Sequence, residues 1–378
     1  MKIVAIYEPL LGSYVDENGK IVDNSTETQN LRKNVKKFGP NADVVIEPWT
    51  PVDQEQRSLI QRTLEKEGGN AYPPPQVFAD NPDAEIIIGK FGPFGSNCMD
   101  VTKNAKIYGV MRAGMENVDV AAATARGIAV VNATGRNANA VSDYAIGMML
   151  AECRDIARAY HNVKMGGWKA AFPNEGLMPD MFEKTVGIIG FGFIGRLVAE
   201  KLSGFHVNIL VFDPFVSKDV EDQYNVKLVD LNTLFAESDF VTVHARLTEQ
   251  SAKLIGKEQF DLMKPTAYFI NTARAGLVDY DALAQALKDR KLMGAALDVF
   301  YEEPIAKDSP FLSLDNVTIT PHLAGRTKDG AENSPRILTD RIISLIKGEG
   351  TVGVVNKEVL DTPEFKVWQA KAKADLGL

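Results

Sequence analysis

The sequence has few of the residues that metal sites and disulfide frameworks require. Only two cysteines and four histidines occur among its 378 residues. Two cysteines are too few for a disulfide framework or a cysteine-based zinc site, so we expect Cys98 and Cys153 to be small apolar residues of the interior. No metal site is predicted, and the fold has to rest on its hydrophobic core, to which 45% apolar residues can contribute.

Long apolar runs and an excess of positive charge are also missing. No stretch approaches the about 18 consecutive apolar residues of a membrane-spanning helix. The N-terminal MKIVAIYEPL has too short an apolar run for a signal peptide and predicts a first strand. With 42 basic and 50 acidic residues the formal net charge is −8, which argues against nucleic acid or an anionic membrane as a partner. The expected location is a reducing cytoplasm.

Apolar runs alternate with helical patterns along most of the chain, and this alternation predicts parallel sheets. The predicted strands are 44–46, 86–88, 107–110, 128–131, 185–189, 207–212, 240–243, 267–270, 295–297 and 317–320. The predicted helices are 53–68, 118–126, 139–160, 193–202, 279–287 and 337–346. Tyr144 to Ala151 is apolar on nearly all sides, so this part of its helix should be buried. The pattern from Thr185 onward is that of a doubly wound α/β sheet.

A dinucleotide-binding fingerprint lies between a predicted strand and a predicted helix. Gly190, Gly192 and Gly195 in GFGFIG have the spacing G-x-G-x-x-G. In that pattern the first glycine allows a tight turn, the second lets the backbone approach the pyrophosphate, and the third lets the helix pack closely on the strand. A glycine-rich turn without a ligand would have the same sequence, but the strand before it and the amphipathic helix after it favour a nucleotide site.

Asp213 ends the next predicted strand. A carboxylate at that point can accept hydrogen bonds from the adenosine ribose and would repel a 2′-phosphate, which favours NAD over NADP. The alternative is an aspartate that only shapes the turn at the end of the strand.

Further along the chain, four charged residues lie in short segments that follow predicted strands. They are Arg274 in NTARAG, Asp298 and Glu303 in LDVFYEEP, and His322 in TPHLAG. Together with GFGFIG, these strings resemble the D-isomer-specific 2-hydroxyacid dehydrogenase family, over roughly residues 85 to 360. The resemblance implies two Rossmann-like doubly wound parallel-sheet domains, with the nucleotide domain inserted into a discontinuous substrate domain. We place the substrate domain at 1–158 and 328–378 and the NAD-binding domain at 159–327.

The resemblance also implies a reaction, the interconversion of a D-2-hydroxy acid and its 2-keto acid. A histidine such as His322 can exchange the proton of the substrate oxygen near neutral pH, and Glu303 is the carboxylate that would favour its protonated form. Arg274 can bind the substrate carboxylate with two parallel hydrogen bonds. Glu302 has the same side chain as Glu303 but lies off the motif, so it should be exposed.

Other contacts follow from the resemblance. Asp298 matches the aspartate that contacts the nicotinamide carboxamide. The remaining cofactor contacts would come from Phe193, Ile194, Ala245, Arg246, Thr272, Ala273 and His322. In the first domain, Phe91 and Gly92 match the loop whose backbone N–H groups bind the substrate carboxylate. Lys90 and Arg112 are candidates for a further anionic group of the substrate, and each could equally be an ordinary surface cation.

Three alternatives stay open at this point. Arg246 stands where the family usually has a proline, two residues after His244; it could stack on the adenine, bind an added phosphate of NADP, or be a solvated side chain. The substrate could be phosphorylated or derived from a sugar. The chain could also be a binding protein, similar to co-repressors, that senses NAD(H) on the same scaffold. The resemblance further implies a homodimer.

Overall fold

The fold is described from a computed structural model, which covers residues 1–9, 13–19, 21–50 and 53–378. The chain divides into two compact units, Met1–Arg136 with Lys328–Leu378, and Asn137–Thr327. The strands are β1 (Lys2–Tyr7), β2 (Tyr14–Val15), β3 (Ile21–Val22), β4 (Asp43–Pro48), β5 (Ile86–Gly89), β6 (Ile107–Val110), β7 (Ala129–Asn132), β8 (Thr185–Ile189), β9 (Asn208–Phe212), β10 (Lys227–Leu228), β11 (Phe240–Val243), β12 (Tyr268–Asn271), β13 (Gly294–Leu297) and β14 (Val317–Ile319). The α-helices are α1 (Thr26–Val35), α2 (Gln54–Glu67), α3 (Gln76–Asp80), α4 (Ser96–Val101), α5 (Val120–Ala125), α6 (Ala138–Cys153), α7 (Ile156–Lys164), α8 (Phe193–Leu202), α9 (Asp219–Tyr224), α10 (Leu231–Glu237), α11 (Lys257–Leu262), α12 (Tyr280–Lys288), α13 (Lys328–Lys347) and α14 (Pro363–Leu376).

The first unit is built on a parallel sheet with the strand order β4-β1-β5-β6-β7. Its strands are apolar on both faces because helices cover both sides of the sheet. The chain winds to one side of β1 towards β4 and to the other side from β5 onward, so the direction of winding reverses between β1 and β5. Crevices at such reversals, at the carboxyl ends of the strands, are where open α/β sheets bind ligands.

The second unit contains a parallel sheet with the order β10-β9-β8-β11-β12-β13-β14. Strands β11, β12 and β13 are buried along their whole length, as expected of central strands with helices on both faces. Here the direction of winding reverses between β8 and β11. The two sheets confirm the predicted fold class, an α/β chain with two doubly wound parallel-sheet domains.

One long predicted helix, 139–160, is in fact two. Helix α6 ends at Cys153, and Asp155 has a left-handed backbone (φ 54°) that no continuous helix permits. Within α6, Ala145, Ile146 and Met149 are buried, as the apolar run predicted. Because α6 packs on α8, β12 and β13, it belongs to the second unit, which therefore begins at Asn137 and not near residue 159.

Several elements of the first unit were not predicted. Helix α1, the β2–β3 hairpin and helix α14 lie where the sequence shows no clear periodicity, and α14 is set by its Thr362 cap and by the buried Phe365 and Trp368. Leu10, at the end of the predicted first strand, lies outside the described residues. No helix in the described part of the chain combines the length and apolarity needed to cross a membrane.

Candidate active site

The GFGFIG loop connects β8 to α8, and two of its glycines are required by close approaches. Gly190 has φ +90°, and a Cβ there would lie 2.5 Å from the backbone nitrogen of Ala245. A Cβ on Gly195 would lie 2.2 Å from the carbonyl oxygen of Gly190, so α8 could not pack on the loop. A Cβ on Gly192 would instead meet no described atom within 4 Å. The space next to Gly192 is open at the N-terminus of α8, where a pyrophosphate would be received.

Asp213, just after β9, is tied to this loop. Its Oδ2 accepts a hydrogen bond from the backbone N–H of Phe191 at 2.7 Å, and its Oδ1 accepts one from Phe215 at 2.8 Å. A carboxylate offers about four acceptor positions, so Asp213 keeps acceptors for the two ribose hydroxyls. The loop and Asp213 together fit an adenine dinucleotide.

The segment after β11 lies directly beside the glycine loop. His244 hydrogen-bonds Thr242 through Nε2 (3.0 Å), and its Nδ1 is shielded from water. Burial lowers the pKa of His244 to about 3, so the ring is neutral and structural. Ala245 contacts Gly190 through its backbone, whereas the side chain of Arg246 is exposed.

Arg274 is presented by the loop that follows β12. The Asn271 side chain shapes this loop, because it accepts from Ala273 N at 3.0 Å and donates to Arg274 O at 3.2 Å. The guanidinium of Arg274 is exposed and donates only to the neighbouring Ala273 carbonyl, at 2.8 Å. No carboxylate of the described residues pairs with it. Thr272, just before, is buried with an unpartnered hydroxyl.

The predicted pair of Glu303 and His322 is formed. Oε2 of Glu303 lies 2.8 Å from Nδ1 of His322, with side-chain exposures of 39% and 46%. Oε1 of Glu303 accepts from the backbone N–H of Phe300 at 3.1 Å, which fixes the orientation of the carboxylate. Glu303 thus holds the Nδ1 side of the His322 ring. Glu302 is exposed.

Asp298 lies at the end of β13, fully buried. Its carboxylate accepts hydrogen bonds from Thr320 Oγ1 (2.6 Å), Leu323 N (2.9 Å) and Ala324 N (2.8 Å). These donors flank His322 on both sides in the sequence. The nicotinamide contact predicted for Asp298 stays a prediction, but the surroundings of this carboxylate are dominated by the histidine loop.

An apolar cavity of about 340 Å³ adjoins the Glu303–His322 pair. Its walls are Phe300, Glu303, Pro304, Ile305, Ile319, Thr320, Pro321 and His322. The pair therefore borders an apolar space on one side. The electrostatic attraction between Glu303 and a protonated His322 is stronger there than it would be in water.

In the first unit, the cations predicted for an anionic group of the substrate already have carboxylate partners. Lys90 lies 2.8 Å from Glu27, and both side chains are largely buried. Arg112 pairs with Glu65 at 2.6 Å and lies over the Phe91 ring at 3.9 Å from its centroid. Sequence reasoning missed these carboxylates because they come from helices α1 and α2, far away along the chain.

A third carboxylate that sequence reasoning missed lies in the same unit. Glu8 directly follows β1, is only 6% exposed, and accepts from Trp49 Nε1 (2.9 Å) and from the backbone N–H of Phe91 (3.0 Å). Burial raises the pKa of Glu8. The Phe91 N–H expected to bind a substrate carboxylate thus donates to Glu8. The carbonyl of Gly92 accepts from Asn117, and the role predicted for its N–H stays a prediction. The signal available in the sequence was a charged residue directly after the apolar run from Ile3 to Tyr7.

Comparison with known proteins defines the class to which these features belong. Residues 146–324 match the family model described as D-isomer specific 2-hydroxyacid dehydrogenase, NAD binding domain. A glyoxylate reductase of Thermofilum pendens is 38% identical over 264 residues, which cover 69% of this chain and 78% of that protein. The chain belongs to the D-isomer-specific 2-hydroxyacid dehydrogenase family, and its second unit contains an NAD-binding Rossmann domain.

Two further proteins place the chain within that family. A D-3-phosphoglycerate dehydrogenase of Archaeoglobus fulgidus is 37% identical over 318 residues; the match covers 84% of this chain but 60% of that protein. The match thus covers less than two thirds of this longer relative. The apo-structure of D-lactate dehydrogenase from Escherichia coli is similar over 93% of this chain and 99% of that one, with a TM-score of 0.61 and 27% identity.

Proposed function

We propose that the protein is an NAD-dependent oxidoreductase that interconverts a D-2-hydroxy acid and its 2-keto acid. The observation that carries this proposal is the Glu303–His322 pair, at 2.8 Å, on the same sheet edge as an exposed arginine without a carboxylate partner among the described residues. Arg274 follows β12, Glu303 follows β13, and His322 follows β14. Because the three strands are parallel neighbours, their carboxyl ends lie along one edge.

The proposed mechanism assigns one task to each side chain. Arg274 binds the substrate carboxylate with two N–H groups and polarises the adjacent carbonyl. His322 donates a proton to the carbonyl oxygen through Nε2 while Glu303 holds Nδ1 and stabilises the imidazolium. Bound NADH supplies the hydride for the carbonyl carbon. In the opposite direction, His322 takes the hydroxyl proton.

For the cofactor, Gly190, Gly192, Gly195 and Asp213 are the proposed main contacts. Asp213 retains acceptors for ribose hydroxyls and opposes a 2′-phosphate. Arg246, which is exposed, is the residue that could offset this preference. Phe193, Ile194, Ala245, Thr272 and Ala273 are proposed as further contacts.

The ion pairs of Lys90 and Arg112 bear on the choice of substrate. A phosphate group would have to compete with Glu27 for Lys90 and with Glu65 for Arg112. We therefore favour a 2-keto acid without a phosphate over a phosphorylated one, while a sugar-derived acid remains compatible with the polar Glu8 and Trp49 at the same sheet edge.

A homodimer is also part of the proposal. Large apolar side chains are exposed in the segment 156–182, which includes Tyr160, Met165 and Trp168, the last at 90%. Exposed apolar patches of this kind mark association sites. A size-exclusion run with light scattering should give twice the chain mass of 41.4 kDa, and a monomer would contradict the proposal.

The reaction is tested by following NADH oxidation at neutral pH with a panel of 2-keto acids and with NADPH in parallel. The panel includes glyoxylate, pyruvate, hydroxypyruvate, branched, aromatic, phosphorylated and sugar-derived keto acids. Turnover with at least one unphosphorylated acid supports the proposal. Tight NADH binding without turnover of any acid would favour an NAD(H)-sensing protein.

A further inference from the structure

The loop that carries His322 has an unfavourable backbone conformation. His322 has φ +55°, in the left-handed region that non-glycine residues avoid. Such a conformation is unfavourable for a residue with a side chain and persists only where the surrounding structure enforces it. The hydrogen bond from His322 N to Thr320 O (3.1 Å) closes the turn. Because it joins two residues that are close in the sequence, it does not by itself hold the loop on the sheet.

The interactions that enforce this turn converge on one carboxylate. Asp298 accepts from the Thr320 hydroxyl before His322 and from the N–H groups of Leu323 and Ala324 after it, at 2.6, 2.9 and 2.8 Å. Asp298 is 0% exposed and lies at the end of β13, next to β14. A buried carboxylate needs such donors, and hydrogen bonds to an ionised acceptor are about twice as strong as neutral ones. The buried carboxylate therefore depends on the loop for its hydrogen-bond donors, and the loop depends on the carboxylate to keep its turn.

Helix α6 extends the same network. The Thr320 hydroxyl also lies 3.9 Å from Sδ of Met148, a buried residue of α6. The turn is thus fixed to a strand end and to a helix of the same unit.

We propose that Asp298 is a positioning residue that holds Thr320–Ala324 in the turn from which His322 reaches its reactant. This assignment rests on the proposed function, because it gives Asp298 a role in the acid–base step through His322. It differs from a contact to the nicotinamide carboxamide, which would act on cofactor binding. The two roles make opposite predictions for an isosteric variant.

The test compares Asp298→Asn with the wild-type protein by hydrogen exchange and by kinetics. The asparagine keeps the shape of the side chain but replaces one acceptor oxygen by an NH₂ group that cannot accept. Amide exchange of a peptide covering 320–325 should accelerate at least about 10-fold, and kcat should fall about 10- to 100-fold, since small displacements of a catalytic group have costs of this size. The Kd of NADH, from fluorescence quenching, should change less than about 3-fold.

Two further variants complete the design. Thr320→Val removes one donor and leaves Asp298 in place, so exchange and kcat should move in the same direction by a smaller factor. Asp308→Asn, an exposed aspartate of the same unit, is the matched control and should behave as wild type. Should Asp298→Asn fail to fold, the Thr320→Val variant still carries the test.

The outcomes separate the two hypotheses. Unchanged exchange in 320–325 overturns the positioning role whatever the kinetics show. Weaker NADH binding with unchanged exchange assigns Asp298 to the cofactor instead. If the wild-type protein turns over no keto acid, the proposed function fails, yet the exchange measurement still decides whether Asp298 holds the turn.

Discussion

Oε2 of Glu303 lies 2.8 Å from Nδ1 of His322, while Oε1 of the same carboxylate is held by the N–H of Phe300. The imidazole is therefore oriented by a group that is itself fixed. Replacing Glu303 by glutamine keeps the size but removes the charge that favours the imidazolium. We expect Glu303→Gln to lower kcat by about 10- to 100-fold in steady-state assays with the best keto acid of the panel.

The matched control is Glu302→Gln, one residue earlier and exposed. It should leave kcat within about 2-fold of wild type, because the step is assigned to Glu303 and substitutions of exposed residues elsewhere usually have little effect. Equal losses in both variants would show that loop charge, and not the pair with His322, controls the rate.

His322→Ala removes the proposed proton donor altogether. Turnover should fall by about 100-fold or more, whereas the Kd of NADH should stay within a few-fold, because the glycine loop and Asp213 are untouched. Stopped-flow measurement of keto-acid reduction gives the turnover, and fluorescence titration gives the Kd of NADH. Near-normal turnover would remove His322 from the mechanism.

Arg274→Lys tests the need for a planar, two-pronged cation. Lysine keeps the charge but cannot bind a carboxylate with two parallel hydrogen bonds. We expect kcat/KM for the keto acid to fall by at least about 10-fold, which corresponds to the loss of about 1.4 kcal/mol. Arg290→Lys, whose guanidinium pairs with Asp315 away from the predicted site residues, is the control and should keep kcat/KM unchanged. An unaltered kcat/KM in Arg274→Lys would contradict the role.

Gly192→Ala separates cofactor binding from folding. A Cβ at Gly192 meets no described atom within 4 Å, so the melting temperature should change little, but the methyl group would occupy the path of the pyrophosphate. The Kd of NADH should rise at least about 10-fold, by fluorescence titration. Gly204→Ala has equally open surroundings at the end of α8 and should change neither quantity. Unaltered NADH affinity in Gly192→Ala would place the phosphates elsewhere.

His244 predicts a pH dependence of stability. Burial lowers its pKa to about 3 in the folded protein, against about 6.5 in an unfolded chain. Between these values only the unfolded chain takes up the proton, so the free energy of unfolding falls as the pH drops below about 6.5. Urea unfolding at pH 7.5 and 5.0 should show that His244→Gln loses about 1–2 kcal/mol less than wild type over this interval.

The control for this measurement is His161→Gln, a substitution on an exposed position of α7. It should follow the wild-type pH dependence. If His244→Gln loses as much stability as wild type on acidification, proton uptake at His244 does not contribute.

The second unit could be predicted closely because its strands and turns are set by local patterns. The strands Thr185–Ile189 and Phe240–Val243 and the helix Phe193–Leu202 were predicted at their observed bounds, since apolar runs and glycines alone define them. The helix break at Asp155 was not predicted, because an aspartate with a left-handed backbone gives no sequence signal as strong as a glycine or a proline. Likewise, β8 and α8 could be predicted without knowledge of their neighbours, but α14 depends on the core it covers.

The pairing of charges was the least predictable part. That Lys90 meets Glu27 and that Arg112 meets Glu65 depends on helices brought together by the tertiary fold. Similarly, the sequence indicated Asp298 as a site residue, but only the structure shows that its three donors come from the loop of His322.

The strand order of the second unit also separates the proposed cofactor contacts from the residues proposed for substrate binding and acid–base chemistry. The glycine loop and Asp213 follow β8 and β9, on one side of the point where the winding reverses, whereas Arg274, Asp298 and His322 follow β12, β13 and β14 on the other. The described hydrogen bonds of the Asp213 carboxylate are made within the first half, and those of Arg274, Asp298 and His322 within the second. Cofactor preference and substrate preference should consequently be free to diverge independently, so that an engineered switch from NAD to NADP at Asp213 need not disturb the acid–base pair.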